Sequence, residues 1–293
     1  MYLVVKGFKS MINTIEIDTL DGYQLVASEF KPEKGNGRVV IINGATGVLR
    51  KYYQLYAAFL CAQGFTIITY DYRGIGDSKQ ASVNAKPASM IHWGQLDMDA
   101  VLTWAQTHYP EMKISGVGHS IGGQLLGITP NNNRYESFLN IAAQQIHWKN
   151  WQRKDQPLSV LFFYCVLPIF YSANKGLPKW VLGAEYLPKQ VIRDWSRFGR
   201  KPFYTDEQGN ELHDGYHQYT GNMRFYAMAD DNRFAPPSCV KALQQHFKNA
   251  PSDMIVVDPK QVGMKMIDHF GFFKRSMSES VWQDTSNWLA SSS

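Results

Sequence analysis

The chain has 293 residues, 44% of them apolar and 14% aromatic, which excludes a disordered polymer and fits one large α/β domain or a domain carrying an insertion. A net charge of +5 is too small to signal nucleic acid. Cys61, Cys165 and Cys239 lie far apart, without metal or disulfide-framework spacing, so the expectation is free thiols in a reducing, cytoplasmic setting.

Met1 to Ser10 lacks the charged, apolar and small-residue pattern of a secretion signal; it reads as a leader, with Met11 a second candidate start. Ile12 to Leu20 and Tyr23 to Phe30 alternate apolar and polar around the turn dipeptide Asp21-Gly22, predicting an antiparallel hairpin. Arg38 to Asn43 is a continuous apolar run, the mark of a parallel strand buried on both faces. A tight loop, Gly44 to Gly47, leads into a helix over Leu49 to Gln63, and Phe65 to Tyr70 is the next buried strand. A helix follows over Trp93 to His108, then a strand from Lys113 to Gly118, a helix opening at Gly123, and a strand over Glu136 to Ala142. The alternation resumes at Asn222 to Ala229, with a helix over Pro237 to Lys248, a strand over Asp253 to Val257 and a closing helix to Leu289. Strands alternating with helices imply right-handed crossovers and a mostly parallel sheet covered on both faces.

The gap in that alternation predicts a core over residues 11–145 and 222–293 and an inserted lid over 146–221. The insertion is rich in aromatics, among them Trp148, Trp151, Phe162, Phe163, Trp180 and Trp195. Between Lys149 and Lys201 it holds ten Lys/Arg against three Asp/Glu. Its place between two sheet strands puts it over the carboxyl end of the sheet, where open α/β folds bind ligands. The longest apolar run, Leu158 to Tyr171, is 14 residues broken by Pro168, short of the ~20 that a membrane span needs, so no integral membrane segment is expected.

Chemistry concentrates at Gly118-His119-Ser120-Ile121-Gly122. A serine on a sharp strand-to-helix turn is held in a strained conformation, and glycines two residues either side let the neighbouring backbones pass. The motif alone is weak; it needs a base, and the base an orienting acid. Asp230 and Asp231, just after the Asn222 strand, are both candidate acids, and His269, between the last strand and the last helix, is the candidate base. Nucleophile, acid, histidine is the order associated with this topology. His119 is read as a packing residue, since its neighbour Ser120 points to the other face. His92, His108, His147, His213, His217 and His246 show no ligand spacing, so no metal is expected. Asp71 and Arg73 are read as loop ties. Gly74-x-Gly76 lacks the third glycine of a dinucleotide site, so no such cofactor is expected.

Taken jointly, Asn43-Gly44-Ala45-Thr46-Gly47, Asp71-Tyr72-Arg73-Gly74, Gly118-His119-Ser120-Ile121-Gly122-Gly123, Asp230-Asp231 and His269-Phe270-Gly271 resemble the α/β-hydrolase superfamily over nearly the whole chain, and within it a bacterial branch described as serine aminopeptidase-like. The resemblance implies a Ser120–His269–Asp231 triad, Asp231 being favoured over Asp230 because it stands three residues after Met228, where relatives often have Gly. It also implies an oxyanion hole from the backbone N–H groups of Ala45 and Ile121. Asn43 stands where many relatives have His. The expected function is a cofactor-independent serine hydrolase acting on a carboxylic ester with an apolar acyl or aromatic part. The alternatives are aminopeptidase, amidase or thioesterase chemistry on the same triad, or a non-catalytic protein binding a small apolar ligand.

Overall fold

The structure is a computed structural model and describes residues 12–79, 86–173, 176–178, 185–206 and 208–292. The leader at Met1 to Ser10 with Met11, and Trp180 and Glu207 of the insertion, lie outside the described residues.

Eight strands form one sheet: β1 (Ile12–Asp18), β2 (Gln24–Phe30), β3 (Arg38–Asn43), β4 (Thr66–Tyr70), β5 (Lys113–His119), β6 (Ser137–Ile141), β7 (Asn222–Met228) and β8 (Ser252–Val257). Their order is β1-β2-β4-β3-β5-β6-β7-β8. The first hairpin is antiparallel, β2 is antiparallel to β4, and every later pairing is parallel. The hairpin connection is longer than the expected two-residue turn. It spans residues 19–23, closed by the Thr19 N–H on the Tyr23 carbonyl at 2.8 Å and by Thr19 Oγ1, which takes the Tyr23 N–H at 2.9 Å and donates to Asp21 at 2.6 Å.

The helices used below are α1 (Gln54–Ala62), α2 (90–108, with a π-helical stretch at Trp93–Met98), α3 (Ile121–Gln124), α4 (156–172, with a π-helical stretch at Phe162–Val166), α5 (Lys189–Arg200), α6 (Asp214–Gln218), α7 (Pro237–Gln244) and α8 (Glu279–Ser291). The helix after Ser120 starts at Ile121 rather than Gly123, and tightens to a 3₁₀ turn at Leu125–Ile128, where Thr129 Oγ1 caps the Leu125 carbonyl at 2.9 Å. α7 ends at Gln244, short of the expected Lys248.

Alternate residues of β3 feed two cores. Val39 and Ile41 join Ile68, Ile114, Phe138 and the α2 side, whereas Val40 and Ile42 join Val117, Leu139 and the α1 and α8 side. A strand with no polar face can only sit inside a sheet covered twice, which is what the continuous apolar run demanded. The segment 146–221 contributes Trp151, Phe163, Leu167, Val191 and Phe198 to the first of these cores, so its apolar side is continuous with the sheet core. α4 turns Ser159, Phe163 and Leu167 inward at helical spacing. The Phe163 ring stands where a Cβ on Gly199 of α5 would be, 2.2 Å away, so this glycine is what lets α4 and α5 close up.

The loop residues bind as ties. Asp71 takes the Arg50 backbone N–H at 2.7 Å and pairs with its guanidinium; Arg73 bonds Asp97 at 2.6 Å and Asp21 at 2.9 Å, all largely buried.

Candidate active site

Ser120 stands alone between β5 and α3 with φ 54° and ψ −117°. A non-glycine residue in this region is strained and persists only where its surroundings over-determine it. Here the Ser120 N–H donates to the Ile141 carbonyl at 3.1 Å and its carbonyl takes the Gly123 N–H at 3.1 Å. The flanking glycines have steric reasons. A Cβ on Gly122 would lie 2.1 Å from the Asn43 carbonyl oxygen, and one on Gly118 would lie 2.5 Å from the Gly123 backbone. Asn43 is locked into the sheet floor, its Oδ1 taking the Tyr70 hydroxyl at 2.8 Å.

His269 and Asp231, 38 residues apart in sequence, meet with Nδ1 and Oδ2 at 2.6 Å, both almost fully buried. A carboxylate only accepts, so Nδ1 carries a proton, and in the neutral ring Nε2 is the nitrogen with the lone pair. Burial alone would raise the Asp231 pKa, but the bonds from His269 and from the Phe234 N–H, 3.0 Å away, carry it below the usual value. Asp230 works one step further back. Its carboxylate takes the backbone N–H groups of Ile267 at 2.8 Å and Asp268 at 3.1 Å, holding the loop whose next residue is His269.

His119 is fully buried, with Nε2 at 2.9 Å from the His269 carbonyl and Nδ1 at 3.0 Å from the Tyr53 hydroxyl. Because a carbonyl cannot donate, the proton sits on Nε2 and Nδ1 accepts from Tyr53. The Tyr53 oxygen in turn takes the Ala45 N–H at 2.7 Å. A directed chain therefore runs from the Ala45 amide through Tyr53 and His119 to the backbone of His269. Burial pushes the His119 pKa down to about 3, keeping the ring neutral.

The Ala45 N–H, expected to be an open oxyanion donor, is engaged by Tyr53. The Ile121 N–H, at the first position of α3, has no intrahelical partner. Thr46, next along the loop, has no hydrogen-bond partner among the described residues and lines the same pocket as Ser120.

Ser120, His269, Ile121, Ala45 and Thr46 all border one small pocket of about 30 Å³. It shares Gln144, Trp195 and Phe234 with a larger cavity of about 430 Å³. The larger cavity is walled mostly by the segment 146–221, through Trp151, Leu158, Phe162, Phe163 and Val166. Gln144 escaped the sequence reading; a glutamine pair directly after a buried strand was the available signal. It takes the Gln124 side chain at 3.0 Å and donates to the Phe234 carbonyl at 3.2 Å, bracing the wall that the two cavities share. The described residues contain no cluster of His, Cys, Asp or Glu able to hold a metal ion.

A family profile described as alpha/beta hydrolase fold matches residues 37–131, from β3 through the serine turn. The chain is an α/β-hydrolase-fold protein. Solved α/β-hydrolase structures align with it almost end to end. An esterase from Pyrococcus furiosus is 14% identical, with a TM-score of 0.64 over 97% of this chain and 92% of that one. A thermophilic esterase from Thermogutta terrifontis is 15% identical, with a TM-score of 0.59 over 94% and 98% of the two chains. A serine hydrolase from Xanthomonas campestris, described as lacking a lid, is 12% identical, with a TM-score of 0.54 over 96% and 92%. At such identities the likeness is one of fold. No curated protein sequence matches the chain. Within the α/β-hydrolase fold, the described helices include none long and apolar enough to cross a membrane.

Proposed function

We propose that this protein is a serine hydrolase of carboxylic esters, with Ser120 as nucleophile, His269 as base and Asp231 as its orienting acid. The observation that carries the reading is the 2.6 Å Asp231–His269 bond, with His269 bordering the same pocket as a serine strained at φ 54°. The Ser120 Oγ attacks the ester carbonyl carbon while its proton passes to His269 Nε2. The tetrahedral oxyanion is met by the Ile121 N–H and by an N–H of the 43–47 loop: Thr46 is open, and Ala45 becomes available by releasing Tyr53. Collapse expels the alkoxide, which takes the proton from His269. A water, deprotonated by the same nitrogen, then attacks the acyl-enzyme carbonyl and frees Ser120 and the carboxylic acid.

The segment 146–221 acts as a lid, and the cavity it walls receives the acyl part. At about 430 Å³ that cavity falls in the range of small-molecule sites, roughly 300–1,000 Å³. Esterase neighbours of the same fold support the choice of bond. An aminopeptidase would need a free carboxylate for the substrate ammonium, and three of the insertion's acids are engaged elsewhere. Glu185 pairs with Lys79 at 2.7 Å, Asp194 takes the Met90 N–H at 3.0 Å, and Asp206 is used in its own turn. Asp155, on the cavity wall, is the acid that would serve.

Labelling with a fluorophosphonate probe tests the reading. Wild type labels and Ser120→Ala does not; a folded wild type that resists the probe removes the proposal. A series of p-nitrophenyl acyl esters beside an aminoacyl p-nitroanilide then separates esterase from aminopeptidase.

A further inference from the structure

Among the described residues, half of the large apolar side chains left exposed fall on one helix: Leu158, Leu161, Tyr164 and Ile169 of α4. Their spacing follows the helical repeat and places them opposite the buried face of Ser159, Phe163 and Leu167. Residues 156–172 contain no charged side chain at all. A contiguous exposed apolar stripe of this kind marks an interaction surface.

The surroundings say what kind. Arg153 and Lys154 are exposed in the turn that leads into α4. The Arg200 guanidinium lies 4.8 Å over the Tyr164 ring, and the exposed Arg233 lines the cavity that α4 walls. Across the sequence from Lys149 to Lys201 there are ten Lys/Arg against three Asp/Glu, and Arg153, Lys154, Arg200 and Arg233 place positive charge beside the stripe. A second copy docked face to face would set this charge against itself. An anionic lipid surface would satisfy both halves of the pattern, headgroups meeting the basic rim and acyl chains the apolar stripe.

We propose that the outer face of α4 docks this protein on anionic lipid surfaces. Leu158 and Leu161 are exposed and also line the cavity of about 430 Å³, so an apolar path runs from the docking face into the protein. The use of that path by an ester substrate rests on the hydrolase reading above; the docking does not.

Co-sedimentation of full-length Ser120→Ala with phosphatidylcholine vesicles, with and without phosphatidylglycerol, tests this without consuming lipid. The expected result is binding that requires phosphatidylglycerol and weakens as salt is raised. Ile169→Asp and the pair Arg153→Glu/Lys154→Glu are each expected to lower that binding about tenfold or more. Ile169→Asp on an otherwise wild-type chain keeps its turnover of soluble p-nitrophenyl acetate, because Ile169 lines neither cavity. Absence of binding at low salt overturns the proposal, as does binding that both variants retain. A dimer in sedimentation velocity that Ile169→Asp dissociates also overturns it, assigning the face to a second copy. A failed fluorophosphonate test with intact vesicle binding would remove the hydrolase reading alone.

Discussion

The Ala45 amide donates to the Tyr53 hydroxyl at 2.7 Å, and through that one oxygen the loop facing Ser120 is joined to the loop carrying His269. Tyr53 is fully buried at the start of α1, and its hydroxyl both accepts from Ala45 and donates to His119. The serine turn lies between the two loops, so the geometry of all three is set by a bridge that does not itself border the pocket.

Tyr53→Phe leaves a buried N–H and a buried ring nitrogen unsatisfied, each costing about 1–3 kcal/mol. Ester turnover is expected to fall about 10- to 100-fold, mainly in kcat, since small displacements of catalytic groups cost that much. Steady-state kinetics at matched folding, checked by circular dichroism, decides it. An unchanged kcat would show that the bridge is structural packing alone.

The two neighbouring aspartates are expected to separate cleanly. Asp231→Asn places an amide against His269 Nδ1 and favours the wrong tautomer, lowering kcat about 10⁴-fold. Asp230→Asn keeps an acceptor for the Ile267 and Asp268 N–H groups and loses far less. Comparable losses in the two variants would reassign the acid.

Acidification should destabilise the protein through His119. Its pKa is 6.5 when unperturbed and about 3 in the fold, so the unfolded chain takes up the proton first. Stability from this group is complete above pH 6.5 and is lost as the pH falls toward 3. At pH 4.5 the loss amounts to about 3 kcal/mol. Urea unfolding at pH 7 and 4.5 measures it; in His119→Gln that part of the acid slope disappears, whatever the variant's stability at pH 7.

Filling the acyl cavity should change chain-length preference without touching the triad. Val166 lines the larger cavity and not the small pocket. Val166→Trp is expected to lower kcat/KM for p-nitrophenyl decanoate at least about tenfold while leaving the acetate nearly unaffected, in line with binding terms of about 1–3 kcal/mol per methylene-scale contact. Equal effects on both esters would place the acyl chain elsewhere.

Much of this protein was legible as a string. β3 came out at Arg38–Asn43 as read, because an unbroken apolar run has one stable use in a chain that alternates strands and helices. Gly118-x-Ser120-x-Gly122 announced its turn because only glycine tolerates backbone atoms 2.1–2.5 Å from where a Cβ would stand. Those are local or periodic constraints, and sequence spacing carries them. Three things waited on tertiary structure. Asp230 and Asp231 are chemically identical neighbours, and only the direction in which the loop after β7 turns gives one of them His269 and the other the backbone behind it. The Ala45 N–H carries no side-chain signature, so its capture by Tyr53 was invisible until α1 packed beneath the loop. The apolar run of α4 holds no charged residue to mark a water-facing side, yet a helix packs only one face, and the fold left Leu158, Leu161, Tyr164 and Ile169 on the other. Periodicity says that a helix has faces; only the packed chain says which face meets water.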